Sequence, residues 1–510
     1  MIDGNVGGRW DAVLAILADG ARPDLMATLA AAGQMPTFKR HFVDRGGFRT
    51  ATGVFPTVSG PAHLPLVTGM HPGQANLPGI RWAERPRGSR GRFLFRTRSY
   101  MSLGRARKIE RDIPASVTTL FQHLPGVADI NTWFVRGCPG AARMTRFSKG
   151  AAFLRSLTTT NWYSSDLQAE RGVMRAWERG YRSAIAVFPA IDELGHRFGP
   201  DCEESYEAYR RFDACLGRLI DELSRRRRLD STLIVLTSDH GQTATHTHLD
   251  IDDLVRAVYP KTLAYPKIWR HALSAQAAAM VSGNGMANVY VQGDRGWTER
   301  PDFDDSRSQA AELRDRLVEH PGIEHVIYRR GADAFVVAGR QGRMIVTVAA
   351  GGAERPSAGD GGQAPAAGTG EDGRPSDEAL LLTIEGQDPL GYPALPARIR
   401  KSEVAALTAG TRFPDLPAQL LEFFRARRAG DLIVCARKGT DLRSRYEYQP
   451  HRGSHGCLDR EHILVPAAVN ARFTPATTIR AVDLFPTMLA ALGAAAAPGR
   501  SGRAIPLEHV

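Results

Sequence analysis

The chain has 510 residues, 43% of them apolar, so it can bury a large core and is long enough for more than one domain. A formal charge of +12 and a pI near 9.7 favour anionic ligands, yet no zinc-finger spacing, RNA-recognition signature or aromatic interleaving supports nucleic acid as a partner. The apolar runs are strand-sized, too short for a transmembrane helix, and five cysteines without a C-x-x-C pair argue against a disulfide framework.

Met1 to Trp10 is polar and glycine-rich and lacks the charged and apolar regions of a secretory signal, so the expected location is the cytoplasm. The run from Val13 to Ala18 reads as a buried strand that stops at Asp19, followed by a helix from Pro23 to about Phe42. Phe55 to His63 leads into a short helix after Pro61 that ends near Thr68-Gly69 and carries Ser59 at its head. Between Arg85 and Arg111 lie Arg87, Arg90, Arg92, Arg96, Arg98, Arg105, Arg107 and Lys108. That basic loop, 83–112, reads first as a solvated segment, with a lid or groove for phosphate-rich ligands as the alternative.

A strand through Ala186-Val187-Phe188 leads to Asp192 and His196, and a long helix from Glu203 to Arg226 follows. Its Tyr206, Tyr209, Phe212, Leu216, Leu219 and Leu223 are spaced for one apolar face. Leu233 to Thr237 is a further strand, ending in Ser238-Asp239-His240; Ile463-Leu464-Val465 is the next, and Val482 to Leu492 a closing helix. Strands alternating with helices predict an α/β domain with a mostly parallel sheet in three layers. In between, strands at 288–291, 326–328, 334–337 and 344–346 around a helix at 310–319 suggest an inserted α+β cap over 280–425. The core then comes in two parts, 11–279 and 426–510. Residues 351–377 are mostly Gly, Ala, Pro, Ser, Asp and Glu and are expected to be disordered.

The strand ends carry the chemistry. Strands that stop at carboxylates place them on the C-terminal rim of a sheet, where open α/β folds bind ligands. Asp192-x-x-x-His196 lets one helical turn, or a tight loop, aim both groups at one ion, and oxygen plus imidazole nitrogen suits zinc, with manganese or iron as alternatives. Asp239 and His240 point in different directions and can serve two ions or bracket one. His455 lies between Ser454 and Gly456 in a glycine-flanked loop. Asp19 and Ser59 taken singly could be turn and capping residues; their joint occurrence with the other strand-end ligands favours a metal centre with a serine nucleophile. His63 reads as a structural residue of the serine loop, and His246 and His248 as residues that could approach the site. Asp201, Glu203 and Glu204 read as acids at a helix start. The cysteines read as inert core, with Cys457 the one near a candidate ligand.

Five segments, in this order, resemble the alkaline phosphatase superfamily and most closely its nucleotide pyrophosphatase/phosphodiesterase branch. They are Asp19-Gly20-Ala21-Arg22-Pro23-Asp24, Phe55-Pro56-Thr57-Val58-Ser59-Gly60-Pro61-Ala62-His63, Asp192-Glu193-Leu194-Gly195-His196, Ser238-Asp239-His240-Gly241 and Gly453-Ser454-His455-Gly456. The resemblance implies an alkaline-phosphatase-like core and two divalent metal ions, most readily zinc. One ion would be held by Asp192, His196 and His455, the other by Asp19, Asp239, His240 and Ser59. It further implies a covalent phospho-serine intermediate and a small anionic phosphate ester, diester or pyrophosphate, as substrate. Phosphomonoesterase, phosphonate hydrolase and phosphotransferase activities are alternatives within the superfamily. A non-catalytic polyanion-binding relative is the alternative of another class.

Three departures stand out. Serine replaces the branch's usual threonine at position 59. Ile80 falls where the branch has a phosphate-contacting asparagine, with Asn76 or Arg81 as candidates to replace it. His63 stands where the sulfatase signature has arginine, which argues against formylglycine at Ser59.

Overall fold

The computed structural model describes residues 10–85, 96–101, 106–268, 274–293, 296–297, 299–349, 377–445, 447, 449–474, 478–495 and 499–509. A seven-stranded sheet runs in the order Ile479–Arg480, Phe48–Thr52, Leu464–Val469, Thr232–Thr237, Ala12–Ala18, Ser183–Phe188, Val127–Ile130. Among these, only Leu464–Val469 is antiparallel to its neighbours. The central strands are buried along their whole length, and their alternate residues feed two different cores. Val13, Ala15, Leu17, Leu233 and Val235 pack with Leu64, Phe485 and Met488. Leu14, Ile16, Ala18, Ile234 and Leu236 pack with Val173, Trp177, Phe212 and Leu216. Helices therefore cover both faces, giving the expected three layers.

The helix expected from Pro23 to Phe42 is broken. It runs Pro23–Ala31, then continues as a short turn Pro36–Phe38 and a wider π-type turn Lys39–Val43. Gly33 takes a left-handed φ of +72°, and the ring of Pro36 cannot continue the earlier hydrogen-bond ladder. The long helix is found at Glu203–Arg225, with Tyr209, Phe212, Leu216, Leu219 and Leu223 buried and Tyr206 at the edge of that face only partly so.

A second sheet of nine strands draws on both sides of the expected cap boundaries. Its order is Thr262–Ala264, Ala277–Ser282, Met286–Val291, Leu432–Ala436, Ile323–Arg329, Ala334–Gly339, Gly342–Val348, Ala379–Gly386, Arg398–Arg400. The division at 280 thus cuts through the strand Ala277–Ser282, and that at 425 falls between two strands of the same sheet. Leu432–Ala436 sits in its middle, hydrogen-bonded to Met286–Val291 on one side and Ile323–Arg329 on the other. The expected disordered stretch lies outside the described residues except for Asp377, whose carboxylate accepts from the Ser402 backbone N–H at 3.0 Å and its hydroxyl at 2.6 Å.

Of the basic loop, Arg87, Arg90, Arg92 and Arg105 lie outside the described residues. Arg96, Lys108 and Arg111 are exposed, as a solvated segment requires, whereas two arginines turn inward. Arg85 is ion-paired with Asp431 of the second sheet, and Arg98 bonds Asp112 at 3.1 Å. No helix among the described residues is long and apolar enough to cross a membrane.

Candidate active site

Register brings the candidate ligands together. Ala18 pairs with Phe188 and Leu17 with Thr237, so three parallel strands end level. Asp19 follows the first strand directly, and the helix Ala190–Phe198 that opens after the second carries Asp192 and His196 one turn apart. Asp239 and His240 follow the third. His455 arrives from far along the chain because Gly453–Ser454 pairs antiparallel with Thr243–Ala244, just beyond His240. Ser59 lies in the loop between Phe48–Thr52 and the helical turn Pro61–His63. The turn after Asp19 needs glycine: Gly20 has φ +75°, and a Cβ there would lie 2.8 Å from the Asp192 Cα.

The imidazoles are held by their Nδ1 atoms. His196 Nδ1 faces the Gly453 carbonyl at 2.8 Å and His455 Nδ1 the Thr57 carbonyl at 2.8 Å. With a proton on each Nδ1, both Nε2 atoms present lone pairs, and they face each other at 3.2 Å. Two lone pairs that close repel unless a proton or a metal ion lies between them. Ligand bonds of about 2.0–2.1 Å in a tetrahedral shell put neighbouring ligand atoms roughly 3.3 Å apart, close to that separation. Asp192 Oδ2 is 3.4 Å from His196 Nε2, and Asp192 Oδ1 is 3.9 Å from His455 Nε2. Asp192, His196 and His455 form one group that could hold an ion.

The other half has the same spacing. Ser59 Oγ is 3.0 Å from His240 Nε2 and 3.3 Å from Asp19 Oδ1, and His240 Nε2 is 3.3 Å from Asp239 Oδ2 and 3.8 Å from Asp19 Oδ1. Here the potential ligand atoms fall into two overlapping trios, Asp19–His63–Asp239 and Asp19–Asp192–His240. The halves touch, since the His240 and His455 rings stack at 3.7 Å. All seven residues singled out in the sequence therefore lie in one cluster, five of them buried and His196 and Ser59 partly so.

Without cations the cluster is electrostatically strained. Burial, then the neighbouring Asp239 and Asp192, push the Asp19 carboxyl well above its ordinary range. Asp192 and Asp239 go the other way: burial opposes their charge, but His196 beside the first and His240 and His63 beside the second outweigh it. Burial is also opposed at His196, which Asp192 holds up at about 10, while burial and then His240 drive His455 well below its usual value. Asp239 Oδ2, though buried, accepts no hydrogen bond among the described residues. Buried carboxylates in this state are satisfied by a cation.

His63, read as a structural residue of the serine loop, has its Nε2 3.2 Å from Asp239 Oδ2 and 3.9 Å from Asp19 Oδ2. Two further residues went unread. Gln242 Nε2 donates to the Asp192 carbonyl at 2.8 Å and also to its carboxylate. His451 packs 4.5 Å from the His196 ring; its four-residue spacing from His455 was the available signal. Of the two histidines expected to approach, His248 bonds the His451 carbonyl at 2.9 Å, whereas His246 is exposed. Neither candidate for the missing asparagine meets Ser59. Asn76 Oδ1 accepts from Arg428 N–H at 3.2 Å, and the Arg81 guanidinium donates to the Val281 carbonyl at 3.2 Å. Asp201 pairs with Arg22 at 2.9 Å, while Glu203 and Glu204 occupy the first turn of their helix. Cys457 is buried, with Sγ 2.6 Å from the Gly285 carbonyl.

Residues 13–341, more than half of the chain, match the family profile of type I phosphodiesterases/nucleotide pyrophosphatases. The chain belongs to this family. Short stretches are similar to ectonucleotide pyrophosphatase/phosphodiesterase family member 7. The Rattus norvegicus protein is 34% identical over 59 residues, and the Homo sapiens protein 31% identical over 81. Those stretches cover 12% and 16% of this chain and only 13% and 18% of the relatives' own lengths. Solved structures share the fold over nearly the whole chain. Phosphonoacetate hydrolase from Sinorhizobium meliloti 1021 matches with a TM-score of 0.53 at 16% identity, covering 94% of each chain. Murine ectonucleotide pyrophosphatase/phosphodiesterase 5 matches with a TM-score of 0.50 at 15% identity, covering 95% of this chain and 96% of its own.

Proposed function

We propose that the chain is a two-metal hydrolase of phosphate esters, with diesters or pyrophosphates as its substrates and Ser59 as its nucleophile. The observation that carries this reading is the pair of imidazole Nε2 atoms facing each other at 3.2 Å, beside a second half-cluster of the same spacing built around a serine hydroxyl. Asp192, His196 and His455 would hold one ion, and Asp19, Asp239, His240 and Ser59 the other, with His63 and Gln242 positioning the carboxylates. Two divalent ions, zinc by ligand type with manganese or iron as alternatives, would balance the buried carboxylates and stabilise the oxygens entering and leaving phosphorus in an in-line displacement.

Ser59 Oγ forms the bond to phosphorus as the ester oxygen on the opposite side departs. The backbone N–H groups of Ser59 and Gly60 engage no acceptor among the described residues and are available to a phosphoryl oxygen. Water then breaks the phospho-serine ester and the hydroxyl regains its proton. All five cysteines are unpaired, which supports a reducing compartment, the cytoplasm, as the place of action.

Metal content and turnover test the reading together. The purified protein is expected to carry two equivalents of metal and to hydrolyse bis(4-nitrophenyl) phosphate faster than 4-nitrophenyl phosphate. Ser59→Ala should lower turnover by roughly 10⁴-fold or more and keep most of the metal. Undiminished turnover in that variant would remove Ser59 from its role.

A further inference from the structure

Solvent reaches the serine loop at a single residue. From Ala51 to Gly69 every residue is buried except Ser59, and from Val127 to Phe134 every residue is buried except Trp133. These two partly exposed residues meet through Gly60. A Cβ at that glycine, whose φ is +92°, would lie 2.7 Å from Cε3 and 2.8 Å from Cζ3 of the Trp133 indole. The six-membered half of the ring therefore lies against the backbone next to the candidate nucleophile, and the two residues border one opening. The indole and the His63 ring meet edge to face, with centroids 5.9 Å apart.

Trp133 reaches this place from the sheet rim. Val127–Ile130 runs parallel to Ser183–Phe188, with Ile130 opposite Ala186. A fourth strand thus ends on the rim where Asp19, Asp192 and Asp239 follow the other three. The turn after it is pinned on each side of the indole. Asn131 N–H donates to Thr145 Oγ1 at 2.9 Å, Thr132 N–H to Asp129 Oδ1 at 3.1 Å, and Val135 N–H to Glu110 Oε1 at 2.8 Å. A side chain held in this way is ordered before a ligand arrives, which lowers the entropy cost of binding against it.

This edge of the opening is hydrocarbon rather than charge. The nearest arginine along the chain, Arg136, is turned away and donates to the carbonyls of Glu110, Ile113, Pro114 and Val117. In an in-line displacement the leaving oxygen departs opposite Ser59 Oγ, and the groups that stay on phosphorus lie around the waist of the transition state. A phosphoryl oxygen held by the Gly60 N–H would bring such a retained group beside the indole.

We propose that Trp133 is a specificity-determining wall for the ester group that stays on phosphorus, and that this group is apolar. The inference rests on the phosphate-ester reading and narrows its substrates to diesters with a bulky hydrocarbon group on the retained side. Such a group gains by leaving water and packing on the indole; a small retained group would leave the wall wet.

The test uses 4-nitrophenyl 2-phenylethyl phosphate and 4-nitrophenyl ethyl phosphate, which share a leaving group and differ in the size of the retained one. The metal-loaded wild-type enzyme should favour the phenylethyl ester in kcat/KM by about tenfold or more. Trp133→Ala should bring that ratio below about threefold. Trp133→Gln, which puts a polar side chain of intermediate size in the same place, should do the same and serves if the alanine variant does not fold. Equal kcat/KM for the two esters in the wild type would overturn the wall. So would variants that lose activity on both esters by one common factor, since a mere brace for the serine loop acts in that way. If neither ester is hydrolysed, the hydrolase reading fails and calorimetry decides the wall alone. There 2-phenylethylphosphonate should bind the wild type about tenfold tighter than ethylphosphonate, with no such gap in either variant. Equal binding of the two phosphonates to the wild type, or none, would overturn it.

Discussion

The two sheets contribute to the candidate site in opposite ways. The seven-stranded sheet supplies functional groups: Asp19, Asp192, Asp239 and His240 stand at or just beyond strand ends that register brings level. The nine-stranded sheet and its helices supply support. Gln419 Oε1 accepts from Phe55 N–H at 3.1 Å, the Phe423 ring packs 4.9 Å from Phe55, and Gly285 N–H donates to the His455 carbonyl at 2.8 Å. One sheet sets which atoms are present, and the other sets where the serine loop and His455 sit. The two contributions should be separable by experiment.

The sharpest separation is between losing a ligand and losing a brace. His240→Ala removes an imidazole that faces Ser59, Asp19 and Asp239 at once. It should cost roughly 10³–10⁴-fold in turnover and lower the metal content from two equivalents to one, read by elemental analysis. Gln419→Leu leaves the Phe55 N–H buried and unpaired, at about 1–3 kcal/mol of stability. Turnover should fall between about tenfold and a hundredfold as Ser59 is misplaced, with two metal equivalents retained. If Gln419→Leu also loses metal, the second sheet does more than brace.

This division explains what could be read from the sequence. Asp19, Ser59, Asp192, His196, Asp239, His240 and His455 were legible as members of one cluster because each ends a hydrophobic run or sits in a glycine-flanked loop, and the residue types that could hold an ion are few. Gln242 and His451 were not, because a group that packs beside such residues can be of many types and its place depends on approach from distant segments. The extent of the second sheet was hidden for a similar reason. Leu432–Ala436 is a five-residue apolar run like any other, and only long-range pairing with Met286–Val291 places it at the centre of that sheet. The helix break after Ala31 had a local signal, Gly33 followed by Pro36, which the apolar periodicity on either side overrode.

Not every buried carboxyl on the core side belongs to the cluster. Asp166 is 3% exposed and accepts one hydrogen bond, from Ala190 N–H at 3.1 Å. Burial lifts its pKa to about 7, against 3.8 for the free group. A folded-state value above the unfolded one means that the folded protein binds the proton more tightly. Stability is therefore intact below about pH 3.8 and is lost as pH rises through 7. Asp166→Asn removes that loss. The variant should exceed the wild type at pH 8 by on the order of 2 kcal/mol, a gap that closes near pH 4 in denaturant titrations. A constant gap at both pH values would assign the effect to packing.

The smallest effect is expected in the second sheet, between Gly342–Val348 and Ala379–Gly386. Val348 pairs with Leu380, and Ala349 N–H donates to the Ala379 carbonyl at 2.9 Å. The chain leaves and re-enters the sheet at neighbouring points, so a turn of a few residues can bridge the gap that 351–376 now spans. That segment contains no aromatic residue and no Leu, Ile, Val or Met, so it has little with which to build a packed unit. Shortening a loop also lowers its closure entropy slightly. Replacing 351–376 by a short Gly-Ser linker should shift stability by less than about 0.5 kcal/mol and leave metal content and turnover on bis(4-nitrophenyl) phosphate unchanged. A fall in turnover with unchanged melting would place this segment among the substrate-contacting parts of the second sheet, and the division between functional groups and support would no longer hold.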